Sequence, residues 1–361
     1  MFINLFFKIY NMQYKLLSVA KHQGHTLGVN IGDYVQALAS SQFYPRIDGF
    51  LDRDTDLASY NGPQCKMIMN GWYMHNPSNW PPSDKIEPLF VAVHINSLAK
   101  DSMMSPQSIG YFKKHEPIGC RDIYTMELLK SKGIDAYFSG CMTLTLGEKY
   151  HTDELEDKTY IVDPVYNGRM MPSRMFCACW IWLNHPIDIL KLLVNKHLHI
   201  HAGHNWLYKV LKTALYYKEY TRFFGRDIVM KSEYICQEHA CFFRNFKDDN
   251  ERLKEAERLI KKYAKAKLVI TSRIHCALPC LGLETPVIYL QRGGDTKASA
   301  CRMGGLQDLF NVVSVNDGHL IPQFDFSTPI TKEHHPKNKK NWRDLAEKLK
   351  TRCRIFIDDT K

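Results

Sequence analysis

One stretch constrains the fold more than any other: residues 267–290, KLVITSRIHCALPCLGLETPVIYL. Its short apolar run at 268–270 suits a buried parallel strand, and it is followed by a polar turn, a helix of small apolar residues and a second short strand. Strand, turn, helix and strand in this order form one βαβ unit. The stretch therefore predicts an open parallel sheet, whose ligands bind at the carboxyl ends of the strands.

Two side chains suited to anion chemistry lie at that predicted edge, Arg273 and His275. A guanidinium binds phosphate or carboxylate as a fork, and an imidazole transfers a proton near neutral pH. If the turn is extended, the two side chains point the same way and could hold and protonate an anionic substrate. The structural alternative is that Arg273 caps a helix or pairs with an acid, while His275 packs in the core.

Length and composition limit the classes of protein. A chain of 361 residues suits two domains, and its net charge of +10, from 48 basic and 38 acidic residues, favours an anionic partner. The 11 cysteines are odd in number and irregularly spaced, which indicates a reducing compartment and predicts no metal site. We expect no secretory signal and no membrane-spanning segment.

A second strand-to-helix junction carries an arginine. Residues 117–120 are predicted as a short strand, and Arg121 and Asp122 open the helix at 123–132. Arg121 thus has the same local setting as Arg273. Its structural alternative is an ion pair with Asp122.

Three further strand or helix ends carry polar groups. Near the start, Asn30, Gly32 and Asp33 precede an amphipathic helix, where a glycine permits close approach of a ligand and free N–H groups attract an anion. The alternative is an ordinary helix capped by Asp33. His75 and Asn96 follow the predicted strands at 66–70 and 89–95, and His94 ends the latter strand; the histidines there contact a ligand or serve only the structure.

Residues 170–226 differ in character from the rest, being basic, aromatic and helical, with only Asp188 and Glu219 acidic after Arg174. Such a segment is either an interfacial helix at a membrane surface or a helical subdomain that covers the sheet. It contains the histidines 197, 199, 201 and 204, which could bind adventitious metal but make a poor catalytic site.

The motifs together resemble a known family. NIGDYVQALAS, IGCRDIYTMELLKSKGIDAYFSGCMTLTL, KLVITSRIHCALPCLGLETPVIYL and GGLQDLF occur in this order, and over residues 28–310 the chain resembles the polysaccharide pyruvyl transferases. The resemblance implies an α/β fold of two Rossmann-like domains facing across a cleft, as in GT-B glycosyltransferases. It implies phosphoenolpyruvate as donor and a sugar as acceptor, joined as a pyruvate ketal.

The resemblance also assigns residues. It places catalysis on Arg121, Arg273 and His275, with His275 as the acid. Donor binding adds Ile274, Lys297 and, as second choice to Lys297, Arg292. For acceptor binding the resemblance supplies Asn30, Gly32 and Asp33, and we add His75 and Asn96 because they follow predicted strands.

Our expectation is a phosphoenolpyruvate-dependent enzyme that acts on a hexose, galactose by preference, of a lipid-linked oligosaccharide in surface or capsular polysaccharide synthesis. It would be cytoplasmic and peripheral on the inner face of the membrane, docked by residues 174–226, without a cofactor, metal or nucleic acid. The expected domains are 1–160 and 161–330, with a helical insertion at 170–226 and a C-terminal helix within 331–361. The alternatives are a GT-B glycosyltransferase with a nucleotide-sugar donor, and a non-catalytic basic protein that binds membrane or nucleic acid.

Overall fold

The computed structural model describes residues 12–19, 30–195, 197–198, 200, 205–237, 246–292 and 301–359. These residues form a mixed α/β fold with parallel sheets, as predicted. The helices are α1 (Ile31–Ser41), α2 (Lys100–Met103), α3 (Pro106–Lys114), α4 (Ile123–Lys130), α5 (Gly147–Tyr150), α6 (Pro172–Asn184), α7 (Pro186–Leu193), α8 (Trp206–Lys231), α9 (Asp249–Ala264), α10 (Ile274–Gly282) and α11 (Arg343–Asp358). The strands are β1 (Gln13–Tyr14), β2 (Leu16–Ser18), β3 (Phe50–Asp52), β4 (Cys65–Tyr73), β5 (Ile86–Ile95), β6 (Ile118–Cys120), β7 (Ala136–Phe138), β8 (Thr159–Val162), β9 (Glu233–Ile235), β10 (Leu268–Thr271), β11 (Val287–Arg292), β12 (Asn311–Asn316) and β13 (His319–Pro322).

The first sheet has the order β1-β4-β5-β6-β7, and every neighbouring pair is parallel. Its two long strands, β4 and β5, are buried along nearly their whole length, which explains their continuous apolar sequence. The strands predicted at 66–70, 89–95, 117–120 and 134–138 are confirmed. Their carboxyl ends carry Tyr73, Ile95 and, just beyond β6, Arg121.

The second sheet has the order β13-β12-β11-β10-β8-β9, parallel except for the antiparallel edge strand β13. Numbered along the chain from β8, its parallel strands run 2-1-3-4-5, which is a doubly wound order. In such sheets the strand order reverses between the first and third strands, here β8 and β10, and ligands bind at the carboxyl ends beside that point. Asp163 follows β8 there, and Arg273 follows β10.

The basic aromatic segment folds as three helices, α6 to α8, inserted between β8 and β9. The inner face of α8 is buried against the second sheet, where Tyr216, Tyr220 and Phe224 share one core with Ile270 and Leu290. The described residues of the segment thus cover the sheet, as the second of the two alternatives has it. Within the described residues, no helix has the length and apolar character needed to cross a bilayer.

The two sheets are joined by a continuous apolar core. Helix α1 packs against α9 and α10, so the N-terminal motif lies directly beside the stretch at 267–290. The predicted C-terminal helix is α11, and it returns to the first sheet, where the Lys66 ammonium donates to the Phe356 carbonyl at 2.6 Å.

The sequence reading did not anticipate β3, β9 or the hairpin of β12 and β13. The strands β3 and β9 have three residues each, too few for a period-two pattern to stand out. The hairpin closes through Asp317 and Gly318, both at positive φ, which is a common two-residue turn chemistry.

Candidate active site

The junction after β6 is rigidly built. Asp122 caps α4 by accepting a hydrogen bond from the Thr125 backbone at 2.9 Å, and its second oxygen lies 2.6 Å from Nδ1 of the buried His94. Burial opposes ionisation of Asp122, but the His94 contact prevails and the pKa of the carboxyl is lowered. His94 therefore serves the structure at this junction, one of the two readings that the sequence left open.

Arg121 is held in this junction as a buried cation. Its side chain is 3% exposed, and its Nε finds no hydrogen-bond partner in the part of the chain that the structure describes. Asp122 Oδ2 lies 3.9 Å from that Nε, which is too long for a hydrogen bond. Burial lowers the pKa of Arg121, yet a guanidinium stays charged in proteins. A simple ion pair with Asp122, the structural alternative, would thus leave the Arg121 Nε–H without an acceptor.

His275 lies in the first turn of α10, which follows β10 of the second sheet. The charge of Arg121 acts on its imidazole. Burial lowers the pKa of its imidazole well below the ordinary value, and the charges of Arg121 and Arg302 lower it further. The imidazole is consequently neutral at neutral pH. Its Nε2 is buried and, among the described residues, has no hydrogen-bond partner.

Helix α1 closes the site from a third side. Asn30 is its N-cap, accepting from the Gly32 N–H at 3.0 Å, so the alternative named the wrong capping residue in Asp33. A Cβ at Gly32 would lie 2.9 Å from His275 Nδ1, closer than real Cβ contacts. Asp33 lies in the first turn, near enough for its charge to act on Arg121.

Arg273 pairs with an acid, which was one of its predicted alternatives. Its Nε donates to Asp163 Oδ2 at 2.8 Å, and the Gln237 N–H donates to the same oxygen at 2.9 Å. Asp163 has φ of 45°, a left-handed conformation that aspartate tolerates better than most residues. The carboxylate at the switch point therefore fixes the arginine that follows β10.

The turn that bears Arg273 and His275 is not extended throughout. The backbone is extended at Arg273 (φ −99°, ψ 124°) and leaves that region at His275 (φ −83°, ψ 15°). The condition for the two side chains to point the same way is therefore not met. Arg273 turns to Asp163, whereas His275 faces Gly32 and Arg121.

The sequence reading missed Arg302. Its charge lowers the pKa of both His275 and His94 and also acts on Arg121, so it contributes a further cation to the site. The loop behind it is tied to α4, because the Ile123 N–H donates to the Gly304 carbonyl at 3.2 Å. The only sequence signal for Arg302 was its position just before the GGLQDLF motif, in the segment between β11 and β12.

The other donor candidates are less central. Lys297 lies outside the described residues. Arg292 ends β11 with an exposed side chain, and its charge acts on Lys212 of the helical insertion, whose pKa is lowered mainly by burial. Ile274 is partly buried against the shared core.

Two acceptor candidates lie at the carboxyl edge of the first sheet. The His75 ring lies tilted against the Trp72 ring, with the ring centroids 4.4 Å apart, and the His75 backbone N–H donates to Asp54 Oδ1 at 2.7 Å. The Asn96 side chain accepts from the Leu98 N–H at 3.2 Å and so shapes the turn after β5. Both are placed beyond strand ends as expected.

The charges of Arg121 and Arg302 act on the neutral imidazole of His275, whereas Arg273 is held apart on Asp163. Two cations beside an imidazole are suited to an anionic ligand and to proton transfer. No cluster of three histidine, cysteine or acidic side chains suited to a metal ion occurs in the residues the structure describes.

Of the comparisons with known proteins, one identifies the family of this chain. No curated protein matches the chain. The crystal structure of a functionally uncharacterized protein from Klebsiella pneumoniae aligns over 87% of this chain and 96% of its own at 12% identity, with a TM-score of 0.42, too low to carry an argument. A sequence model of the family described as polysaccharide pyruvyl transferase matches residues 30–293, from the cap of α1 to the end of β11. The chain therefore belongs to the polysaccharide pyruvyl transferase family.

Proposed function

We propose that this pyruvyl transferase takes its pyruvyl group from phosphoenolpyruvate and attaches it as a ketal to a hexose of a lipid-linked oligosaccharide. One observation carries the proposal. Arg121 Nε and His275 Nε2 come from different sheets, and each is a buried nitrogen without a hydrogen-bond partner among the described residues. Buried polar atoms left unpaired are costly, so they mark a place where a ligand supplies the partner.

The donor fits the charges. Phosphoenolpyruvate carries a phosphate and a carboxylate, and Arg121 and Arg302 supply two cations for them. Arg273 adds a third cation, whose Nε stays paired with Asp163. Lys297 and Arg292 stay as proposals for the loop after β11, and Ile274 as a backbone contact at the start of α10.

His275 supplies the proton in this mechanism. Its pKa is depressed in the ligand-free protein, but the negative charge of the donor favours the imidazolium when it binds beside it. The imidazolium protonates the methylene carbon, and the adjacent carbon becomes electrophilic. One sugar hydroxyl adds there and returns its proton to His275. Phosphate leaves with the C–O bond electrons, and a second hydroxyl closes the ketal and gives its proton to the departing phosphate. The arginines stabilise the phosphate as it departs.

We place the acceptor on the first sheet. Asn30, Gly32 and Asp33 border His275, and Asp33 acts electrostatically on Arg121. His75 and Asn96 extend the same edge. Two Rossmann-like domains facing each other as in GT-B enzymes, divided near residue 160, would bring donor and acceptor together in this way. Galactose is the hexose we favour.

The lipid part of the acceptor suggests a membrane surface. Three large apolar side chains on one face of α6, Phe176, Trp180 and Leu183, are 78%, 69% and 73% exposed. On α7 the pattern continues, and the full set, which we call the apolar ridge, is Phe176, Trp180, Leu183, Ile187, Leu190 and Val194. Amphipathic helices with exposed aromatic residues insert such faces into the lipid headgroup region.

The charges of this segment contribute less than its sequence suggested. Arg174 pairs with Asp317, Arg226 with Asp188, and Arg222 with Glu219, so all three arginines of the segment are neutralised within the fold. Docking to the inner, cytoplasmic face of the membrane therefore rests on the apolar ridge.

The experiment is a mass measurement on lipid-linked glycans incubated with the protein and phosphoenolpyruvate. The expected product gains the mass of pyruvic acid less one water, with stoichiometric release of phosphate. Phosphate release without this mass gain, or a gain that requires a nucleotide sugar, would reject the proposal. His275→Gln is the matched inactive control, since it preserves volume but cannot protonate carbon.

A further inference from the structure

A small cavity lies beside the catalytic groups, between the first two turns of α1 and the end of β4. Its volume is about 20 Å³, and the polar residues of its lining, which also includes Gly71, are Asp33, Tyr34, Gln36, Arg53, Asn70 and Trp72. A space of this size holds one water-sized group. It is too small for a sugar ring and large enough for one hydroxyl.

Gln36 presents an unused acceptor to this cavity. Its side chain is 3% exposed, and Oε1 accepts no hydrogen bond from any described residue. The orientation of the amide follows from its neighbour, because Nε2 donates to Asp33 Oδ1 at 3.3 Å and a carboxylate can only accept. The carbonyl oxygen must then point the other way, toward the cavity.

The neighbouring polar groups are already committed. Asn70 Nδ2 donates to the Gln36 backbone carbonyl at 3.1 Å, and Asn70 Oδ1 accepts from Ser40 Oγ at 3.1 Å. Neither group can turn to satisfy Gln36 without losing its own partner. Gln36 Oε1 thus requires a donor from outside the described chain, and leaving it unpaired costs about 1–3 kcal/mol.

A flat aromatic surface adjoins this acceptor. The Trp72 ring is half-buried, with part of the residue exposed. The Arg53 guanidinium, fixed by Asp54 at 2.7 Å, lies 5.0 Å from the ring centroid, and the His75 ring lies 4.4 Å from it. Gly71, which directly precedes Trp72, has φ of 112°, and a Cβ there would lie 3.5 Å from Gln36 Oε1. The glycine therefore keeps the route from the indole to the acceptor open.

We propose that this cavity, the hydroxyl notch (Gln36, Gly71 and Trp72), is the subsite that selects the acceptor sugar. An apolar face of the pyranose lies on the Trp72 indole, and one ring hydroxyl donates to Gln36 Oε1. The inference rests on the proposed function, and it adds the residues that choose the sugar.

The notch is in the right place for this role. Asp33 and Gln36 are three residues apart, on one face of α1, and Asp33 acts on Arg121. Gly32 touches His275. A hexose seated on Trp72 with one hydroxyl in the notch would extend its remaining hydroxyls past Asp33 toward the donor. A sugar without a hydroxyl at that position leaves Gln36 unpaired and is rejected.

The test uses methyl β-D-galactopyranoside, methyl β-D-glucopyranoside and their monodeoxy derivatives, with affinity measured by ligand-observed NMR on the full chain. Gln36→Met keeps the side-chain length and removes the acceptor. Gln42→Met is the matched control. Gln42 is the C-cap of the same helix and its Oε1 is likewise buried without a described partner, but its Nε2 donates to Thr145 Oγ1, away from the cavity.

We expect Gln36→Met to weaken glycoside binding about tenfold or more, and Gln42→Met to change it less than twofold. One monodeoxy sugar should bind the wild type as weakly as the parent sugar binds Gln36→Met, with no further loss when the two changes are combined. Trp72→Ala should abolish binding and Trp72→Phe should retain part of it.

Equal losses in the Gln36 and Gln42 variants, no glycoside binding to the wild type, or additive losses for every deoxy sugar would each overturn the subsite. Donor binding is followed separately, by the rise in Tm that phosphoenolpyruvate causes in the same proteins. Glycoside binding that depends on Gln36 without a response to phosphoenolpyruvate would reject the proposed donor and leave the subsite standing. A normal response to phosphoenolpyruvate with unaltered glycoside binding in Gln36→Met would reject the subsite and leave the proposed donor standing.

Discussion

Gly32 of the first helix and His275 of the tenth are in direct contact across the junction of the two sheets. A Cβ at position 32 would come within 2.9 Å of His275 Nδ1 and 3.1 Å of His275 Cβ. The absence of a side chain at one residue therefore sets the position of the imidazole that we assign as the acid. Glycine is needed here for close approach, since its φ is not in the left-handed region.

Replacing Gly32 by alanine is expected to displace the imidazole and lower kcat by about 10²-fold, because a shift of order 1 Å at a reacting group has that effect. The measurement is steady-state release of phosphate with saturating phosphoenolpyruvate. Gly110→Ala is the control, since a Cβ there meets nothing within 4 Å. Unchanged kcat in Gly32→Ala would contradict the assigned contact, and so would an equal loss in both variants.

Binding of phosphoenolpyruvate at neutral pH is expected to take up a proton. The depressed pKa of His275 keeps the imidazole neutral in the ligand-free protein. The anionic donor raises this pKa, so the imidazole takes up a proton to become the imidazolium. Calorimetry in buffers of different ionisation enthalpy measures this uptake. His275→Gln should bind the donor with less uptake by up to one proton. The same uptake in the variant would show that another group, or the phosphate itself, takes the proton.

The ligand-free protein is expected to lose stability as the pH falls below about 6.5, the ordinary pKa of histidine. The unfolded chain binds a proton at His275 in this range while the folded state does not, so each group of this kind lowers the free energy of unfolding by up to about 1.4 kcal/mol per pH unit. Urea denaturation between pH 5 and 8 measures the slope. It should be shallower in His275→Gln, and an identical slope would refute the buried neutral imidazole.

Asp163→Asn is expected to weaken phosphoenolpyruvate about tenfold while leaving Tm nearly unchanged. The change removes the charge that fixes the Arg273 Nε, and asparagine tolerates the φ of 45°. Asp317→Asn offers a comparison, because it removes the partner of Arg174 in the helical insertion. Donor affinity should respond only to the first substitution. A similar loss in both would indicate a general effect on the fold.

The apolar ridge is expected to hold the protein on anionic liposomes. Changing Phe176, Trp180 and Leu183 together to serine should abolish co-flotation, because it removes the exposed apolar face of α6. The comparison protein carries serine at Leu98, Leu155 and Ile355, which are 88%, 58% and 63% exposed elsewhere on the surface. Flotation that survives the first triple change, or that is lost in the second, would contradict docking by the ridge.

Short apolar runs bounded by polar turns were enough to predict the strands from β4 to β7, β8, β10 and β11, since a buried parallel strand has little freedom in its composition. Arg121 and His275 were recognisable because a charged or titratable residue directly after such a strand falls at the ligand-binding edge. The three-residue strands β3 and β9 carried no comparable pattern.

The sequence determined the residue types of the site and the strand end on which each one lies. Only the tertiary structure decided which ends meet, because contacts between Gly32, Arg121, His275 and Arg302 join segments that are remote along the chain. It also decided that Arg273 turns to Asp163, that the arginines of the helical insertion are paired, and that the apolar ridge faces outward. The local sequence determines the backbone conformation of a residue. The charge state and burial of its side chain depend on neighbours from distant parts of the chain, which only folding brings close.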